Sequence, residues 1–86
     1  MVKIWAKVIK KDKILKQTTF EKDENMDYSH FFEYLSEICF SLDIATPVLI
    51  KNHLFDYAKY NVVKFTQSDF VETISFDKLV LENLFI

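Results

Sequence analysis

The chain has 86 residues, 50% of them hydrophobic and 16% aromatic, which is enough for one globular domain over residues 1–86 and too few for two. It contains no glycine and no arginine. The first absence argues against loops whose backbone closes on phosphate, as in P-loops and dinucleotide-binding turns, and the second removes the planar fork that reads guanine. The net charge of −2 conceals an imbalance: residues 1–22 hold seven lysines against Asp12 and Glu21, a charge of +5, while residues 23–86 hold four lysines against eleven acids, a charge of −7.

An AT-rich genome accounts for both missing residue types without invoking function. No repeat and no low-complexity tract is present. The single cysteine, Cys39, cannot close an intramolecular disulfide. The start of the chain lacks the apolar run of a signal peptide, and no apolar stretch nears the roughly 18 residues that span a bilayer. A cytoplasmic location is the expectation.

Val2, Ile4, Ala6 and Val8 alternate with Lys3, Trp5, Lys7 and Ile9, the period-2 pattern of a strand. Lys11 and Asp12 form the turn, and a second strand runs from about Lys13 to Glu21. Without glycine a two-residue primed turn is strained, so a four-residue loop is equally open. Either loop sets Lys10 against Lys13 and Val8 against Leu15. One face then carries Val2, Ile4, Ala6, Val8 and Leu15 toward a core. The other carries Trp5, Ile9, Ile14 and Phe20 among Lys3, Lys7 and Lys16, with Lys7 directly opposite Lys16.

Asp27 is placed to cap a helix of about four turns. Its apolar stripe is Tyr28, Phe31, Phe32, Leu35, Ile38, Cys39 and Leu42, with Ser29, Glu33, Ser36 and Glu37 on the wet side. Pro47 ends it. "PVLI" reads as a short buried strand. Asn52 caps a second helix, "HLFDYAKY", with Leu54, Phe55 and Ala58 inward. "VVKFT" is a further strand, "QSD" a turn, and "FVETI" fits a strand or a helical turn equally well. "KLVLENLFI" is an apolar, β-prone end with Leu79, Leu81 and Phe85 on one side. The order ββαβαββ predicts an α+β fold, a mostly antiparallel sheet of four to five strands with two helices on one face.

These segments resemble a family of small uncharacterised proteins from anaerobic Firmicutes. The residues that carry the likeness are "KIWAKVIKKDKIL", "CFSLD" at 39–43, "TPVLI" and "KFTQSDFVETISFDKLVLE". The likeness runs over nearly the whole chain and implies no chemistry, because no activity attaches to that family. Its members end in an acidic tail, whereas this chain stops at "NLFI".

Three clusters invite a catalytic or metal reading, and each has a simpler one. His30, Glu33 and Glu37 share a helix face but lack further ligands, so a solvated face explains them. Cys39 and His53 are a conceivable nucleophile and base, yet Cys39 sits in the apolar stripe, where a thiol behaves as a small hydrophobe. Asp69, Glu72 and Asp77 suit turn capping, Asp69 and Asp77 on backbone amides. No catalytic residue, cofactor or metal is expected. Nine phenylalanines and four tyrosines exceed what so small a core encloses, so part of that surface should face a partner. The first expectation is a non-enzymatic protein-interaction module, a homodimer joined through a sheet edge or helix face, with Trp5, Phe20, Tyr34, Phe40 and Phe85 at the interface. The alternative is a weak binder of single-stranded nucleic acid or other anions through Lys3, Lys7, Lys16 and Trp5. No membrane partner is expected.

Overall fold

The computed structural model describes residues 1–85. Four strands, β1 (Val2–Lys10), β2 (Lys13–Lys22), β3 (Val62–Thr66) and β4 (Lys78–Asn83), form one antiparallel sheet in the order β2-β1-β4-β3. Two helices, α1 (Phe31–Leu42) and α2 (Lys51–Tyr60), pack on one face of it. This is the α+β arrangement that the periodicities predict.

The core forms where the apolar sides of strands and helices meet. Val2, Ile4, Ala6 and Val8 of β1, Leu79 and Leu81 of β4, and Val63 and Phe65 of β3 line the helix-facing side of the sheet. Phe31, Tyr34, Leu35, Ile38, Cys39 and Leu42 of α1 close over them, with Tyr57 of α2. The alternation in β1 and β4 therefore did its expected work, each strand burying every second residue on the helix side.

The hairpin closes through the tightest turn available. Lys11 (φ 52°) and Asp12 (φ 63°) are both left-handed, so the turn is the two-residue primed form, built without glycine. Its strain is held from outside. Asp77 accepts the Lys11 amide proton at 2.8 Å and donates its own to the Ile9 carbonyl at 2.9 Å.

Beyond the turn the register slips. Lys10 faces Lys13 and Ile9 faces Ile14, but Val8 faces Lys16, leaving Leu15 as an extra residue in β2. The bulge corrects several expectations. Leu15, expected in the core, is 54% exposed. Lys7 faces Gln17, so the expected Lys7–Lys16 repulsion does not arise. Phe20 faces Ile4 and Lys16 faces Val8, which moves both to the helix side of the sheet, away from Trp5. The physical reason is the period of two: one added residue sends every later side chain to the opposite face.

The helices also differ in detail. Asp27 caps a 3-10 turn at Tyr28–His30, accepting from the Ser29 amide at 3.0 Å, and α1 starts only at Phe31. Phe32 is exposed and Tyr34 takes a core place instead. Residues 47–50, expected as a strand, join no ladder; Val48 donates to the Asp69 carbonyl at 2.8 Å. In α2 the cap is Ile50 rather than Asn52; His53 and Tyr57 are buried, Leu54 is half-buried against the core as expected, and Phe55 and Ala58 face out. Residues 70–77 are irregular, with Phe70 and Phe76 meeting edge to face at 5.6 Å. Phe85 lies past the end of β4 and is exposed, and Ile86 lies outside the described residues.

Two stability measurements check this account. Lys11→Asn combined with Asp12→Gly relieves two strained left-handed residues, so the pair should raise stability by about 1 kcal/mol, read as a melting temperature higher by roughly 4–8 °C. An unchanged or lower midpoint would contradict the assigned turn. Tyr57 has no exposed surface and its hydroxyl finds no partner among the described residues. Tyr57→Phe should therefore be neutral or stabilise the protein by up to about 1 kcal/mol in urea unfolding, whereas a loss above that would reveal a bonded hydroxyl.

Candidate interaction surface on the second strand and first helix

The sheet has two faces of different character. On the face away from the helices, Trp5 donates its indole N–H to Gln17 Oε1 at 2.9 Å, and the Lys7 ammonium lies 4.0 Å from the Trp5 ring centroid. Lys3 pairs with Glu21 at 3.7 Å and Lys7 with Glu82 at 3.9 Å. Val80, flanked across the strands by Lys7 and Lys64, is only 7% exposed although no helix covers it. The lysine stems here roof apolar surface while their charges meet carboxylates.

This arrangement breaks up the anion-binding set expected from sequence. Lys3, Lys7 and Trp5 share a face, and both lysines are in ion pairs. Lys16 is on the opposite face, where its ammonium donates to the Leu42 carbonyl at 3.0 Å and caps the C-terminus of α1.

The expected interface residues are split as well. Tyr34 belongs to the core: its hydroxyl donates to Glu24 Oε2 at 2.6 Å and its ring meets Phe20 at 5.5 Å and Phe31 at 6.3 Å. Phe31 and Ile38, three residues before it and four after, are buried on the same face, so the stripe of α1 is turned to take in Tyr34 and leave Phe32 out. Phe20 and Phe40 come together. With Ser36, Glu37 and Ser41 they line an open groove of about 470 Å³ between β2 and α1. Phe40 is 88% exposed there, and Phe20 is half-buried.

β2 borders this groove and is an edge of the sheet. Leu84 donates its amide proton to the Lys3 carbonyl, so the odd-numbered residues of β1 turn their amides toward β4 and the even-numbered ones toward β2. By the same alternation the even residues of β2 bond β1. Gln17, Thr19 and Glu21 present their N–H and C=O groups to the open edge.

The clusters with possible chemistry resolve into structural roles. Cys39 is in the core, its thiol pushed up to about 11 by burial, against a weaker hydrogen bond from Thr46, which removes the thiolate a nucleophile needs. His53, treated in sequence only as a conceivable base, is buried: Nδ1 accepts the Ile50 amide proton at 3.0 Å, Nε2 stands 3.5 Å from Asp69 Oδ1, and the ring packs on Phe65. Nδ1 thus closes the start of α2 on itself, and Nε2 faces the turn after β3. A histidine three residues past a helix start was the available signal. Asp69 also accepts from the Thr66 amide at 2.8 Å, and Asp77 from Lys11, so the two acids cap backbone amides as read; Glu72 is exposed. His30 pairs with Asp27 at 3.6 Å, where hydrogen bonds from the Ser29 side chain and amide lower the carboxyl. Among the described residues no group of three or more His, Cys, Asp or Glu could hold a metal ion, and no helix is long and apolar enough to cross a membrane. No family model matches the chain, and neither do any of the curated proteins or solved structures compared with it.

The Tyr34–Glu24 bond that props β2 against α1 yields a pH prediction. The bond from Glu24 and burial raise the Tyr34 hydroxyl from 10 to about 12. A raised value means the fold resists deprotonation, so this stabilisation is whole below pH 10 and lost as pH climbs from about 10 toward about 12. Urea midpoints should fall across that window. Tyr34→Phe should cost about 1–2 kcal/mol at neutral pH and make the alkaline decline shallower, the remainder coming from Tyr57, whose hydroxyl burial also raises. An alkaline slope unchanged by the substitution would refute the assignment to Tyr34.

Proposed function

We propose that the chain is a non-enzymatic, cytoplasmic protein-interaction module that acts as a homodimer through the side built by β2 and α1. The observation that carries this reading is Phe40, 88% exposed, standing beside Phe20 in a groove along an open sheet edge of ten residues. An aromatic so exposed exacts a solvation cost that burial against a partner removes, and the unpaired amides of β2 supply direction to such a contact. Trp5 has less support as a contact residue, because Gln17 and Lys7 already engage its ring. A nucleic-acid platform has less support for the same reason, and because its lysines lie on two faces.

Light scattering on the purified protein tests the reading. The expected mass is twice 10.3 kDa, with Phe40→Glu reduced to the single-chain mass and an unchanged far-ultraviolet circular dichroism spectrum. A wild-type protein that stays at 10.3 kDa up to millimolar concentration overturns it.

A further inference from the structure

The geometry of β2 points to one way for two copies to meet. We infer that they pair antiparallel along their β2 edges about a two-fold axis at Thr18, giving a continuous eight-stranded sheet with the two Phe20/Phe40 grooves facing each other across the axis. The inference rests on the dimer reading above and adds its register and contact atoms.

Three observations select this arrangement. The amides open to a partner are those of the odd residues Gln17, Thr19 and Glu21, so hydrogen-bonded pairs across the axis must join odd residues to odd residues. The bulge at Leu15 distorts the strand before Lys16, which leaves residues 16–22 as the regular ladder. Charge then decides among the registers that remain. An axis at Thr19 sets Lys16 opposite the partner's Lys22 on both sides, two like-charge contacts. An axis at Gln17 keeps only residues 16–18 within the regular ladder, with Gln17 against the partner's Gln17 as its one hydrogen-bonded pair. An axis at Phe20 overlaps residues 18–22 and leaves Lys16 outside the paired segment, with each Phe20 against its mate rather than under a lysine stem.

The axis at Thr18 overlaps residues 16–20, brings no two lysines together, and is the register that sets Lys16 against the partner's Phe20. Gln17 then faces the partner's Thr19, and the reciprocal pair repeats it, so both open amides of the central segment are bonded. On the groove side Lys16 faces the partner's Phe20, and its alkyl stem can lie on that ring while its ammonium keeps the Leu42 carbonyl. No lysine of β2 faces another lysine. Because Lys16 also marks where α1 ends above the strand, the partner's Phe20 comes under the same end of α1 that carries Phe40. The apolar surface of each groove is then closed by the other.

Cross-linking reads the register directly. In a Cys39→Ala background, Thr18→Cys places two thiols at a non-hydrogen-bonded pair, roughly 4.5 Å apart at Cα and within disulfide reach. Under mild oxidation Thr18→Cys should form a covalent dimer at least about tenfold faster than Thr19→Cys or Phe20→Cys, whose Cα atoms stand farther from their mates. Thr19→Pro gives a second test. It removes a donor from the open edge and none from the β1 ladder, so the variant should be monomeric with an unchanged circular dichroism spectrum. If light scattering shows a dimer but Thr19→Cys or Phe20→Cys links as fast as Thr18→Cys, the register is wrong and the module stands. If Thr19→Pro remains a folded dimer, the edge contact is wrong. A wild-type monomer overturns both proposals.

Discussion

One unpaired residue, Leu15, governs much of this molecule. Had β2 continued in step from the turn, Leu15 would face the core beside Val8, and Phe20 would stand with Trp5 on the uncovered face of the sheet. The bulge shifts the whole distal strand by one place. Phe20 then reaches Tyr34, and Lys16 reaches the last carbonyls of α1. The helix is thereby fastened at both ends to an edge strand that otherwise contributes no fully buried side chain. The same shift spares the sheet a Lys7–Lys16 clash and gives Trp5 a hydrogen-bonding neighbour in Gln17. A bulge also increases local twist, which suits a strand that must both cover a helix and lead into a tight turn.

Local pairing meets part of the charge imbalance. Lys3 and Glu21 meet inside the hairpin, Lys7 reaches Glu82 on β4, and Lys22 meets Glu24 just past β2. These exposed or half-exposed pairs are each worth little, on the order of 0–1 kcal/mol. Their effect is to position stems over Trp5 and Val80, so that a sheet face without helices is still partly dry. The lysines near the turn, Lys10, Lys11 and Lys13, remain exposed and unpaired among the described ion pairs, and their density at one end limits how another strand can approach.

The architecture was legible because strands and helices with one buried face write their period into the sequence. β1 and α1 are the clearest cases: an alternation of four aliphatics, and apolar residues at helical spacing from Phe31 to Leu42. What failed had specific causes. A bulge leaves no mark in composition, since Leu15 is as apolar as the core residue it was taken for. α2 was read by hydrophobicity, which favours Phe55 over His53, but His53 is buried with Nδ1 bonded to the Ile50 amide and Nε2 facing the Asp69 carboxylate, a condition invisible before the neighbouring turn is placed. Residues 47–50 have strand composition, and their amide partner is a single carbonyl at Asp69 rather than a ladder. Of the interface set, Phe40 was recoverable because it follows Cys39 on a helix whose stripe was already assigned. Tyr34 was not, because whether a residue at the margin of a stripe is wet depends on the strand beneath it.

The two edges of the sheet are unequal, and that inequality carries the functional argument. β3 is five residues long and follows directly on Asn61, the left-handed cap that ends α2, so little straight backbone is offered there. Short edges are one of the ordinary defences against unwanted pairing. β2 is twice as long and is defended at one end only, by the bulge and by the lysines around the turn. From Gln17 to Glu21 the sequence is Gln-Thr-Thr-Phe-Glu, polar enough to stay in solution and β-prone enough to pair. A strand that merely needed protection would carry its lysines along this stretch. They stand instead at its two ends, Lys16 and Lys22, where they leave the central amides open and penalise the register that would set one against the other. Open central amides together with a like-charge penalty on one competing register suit an edge to a specific contact.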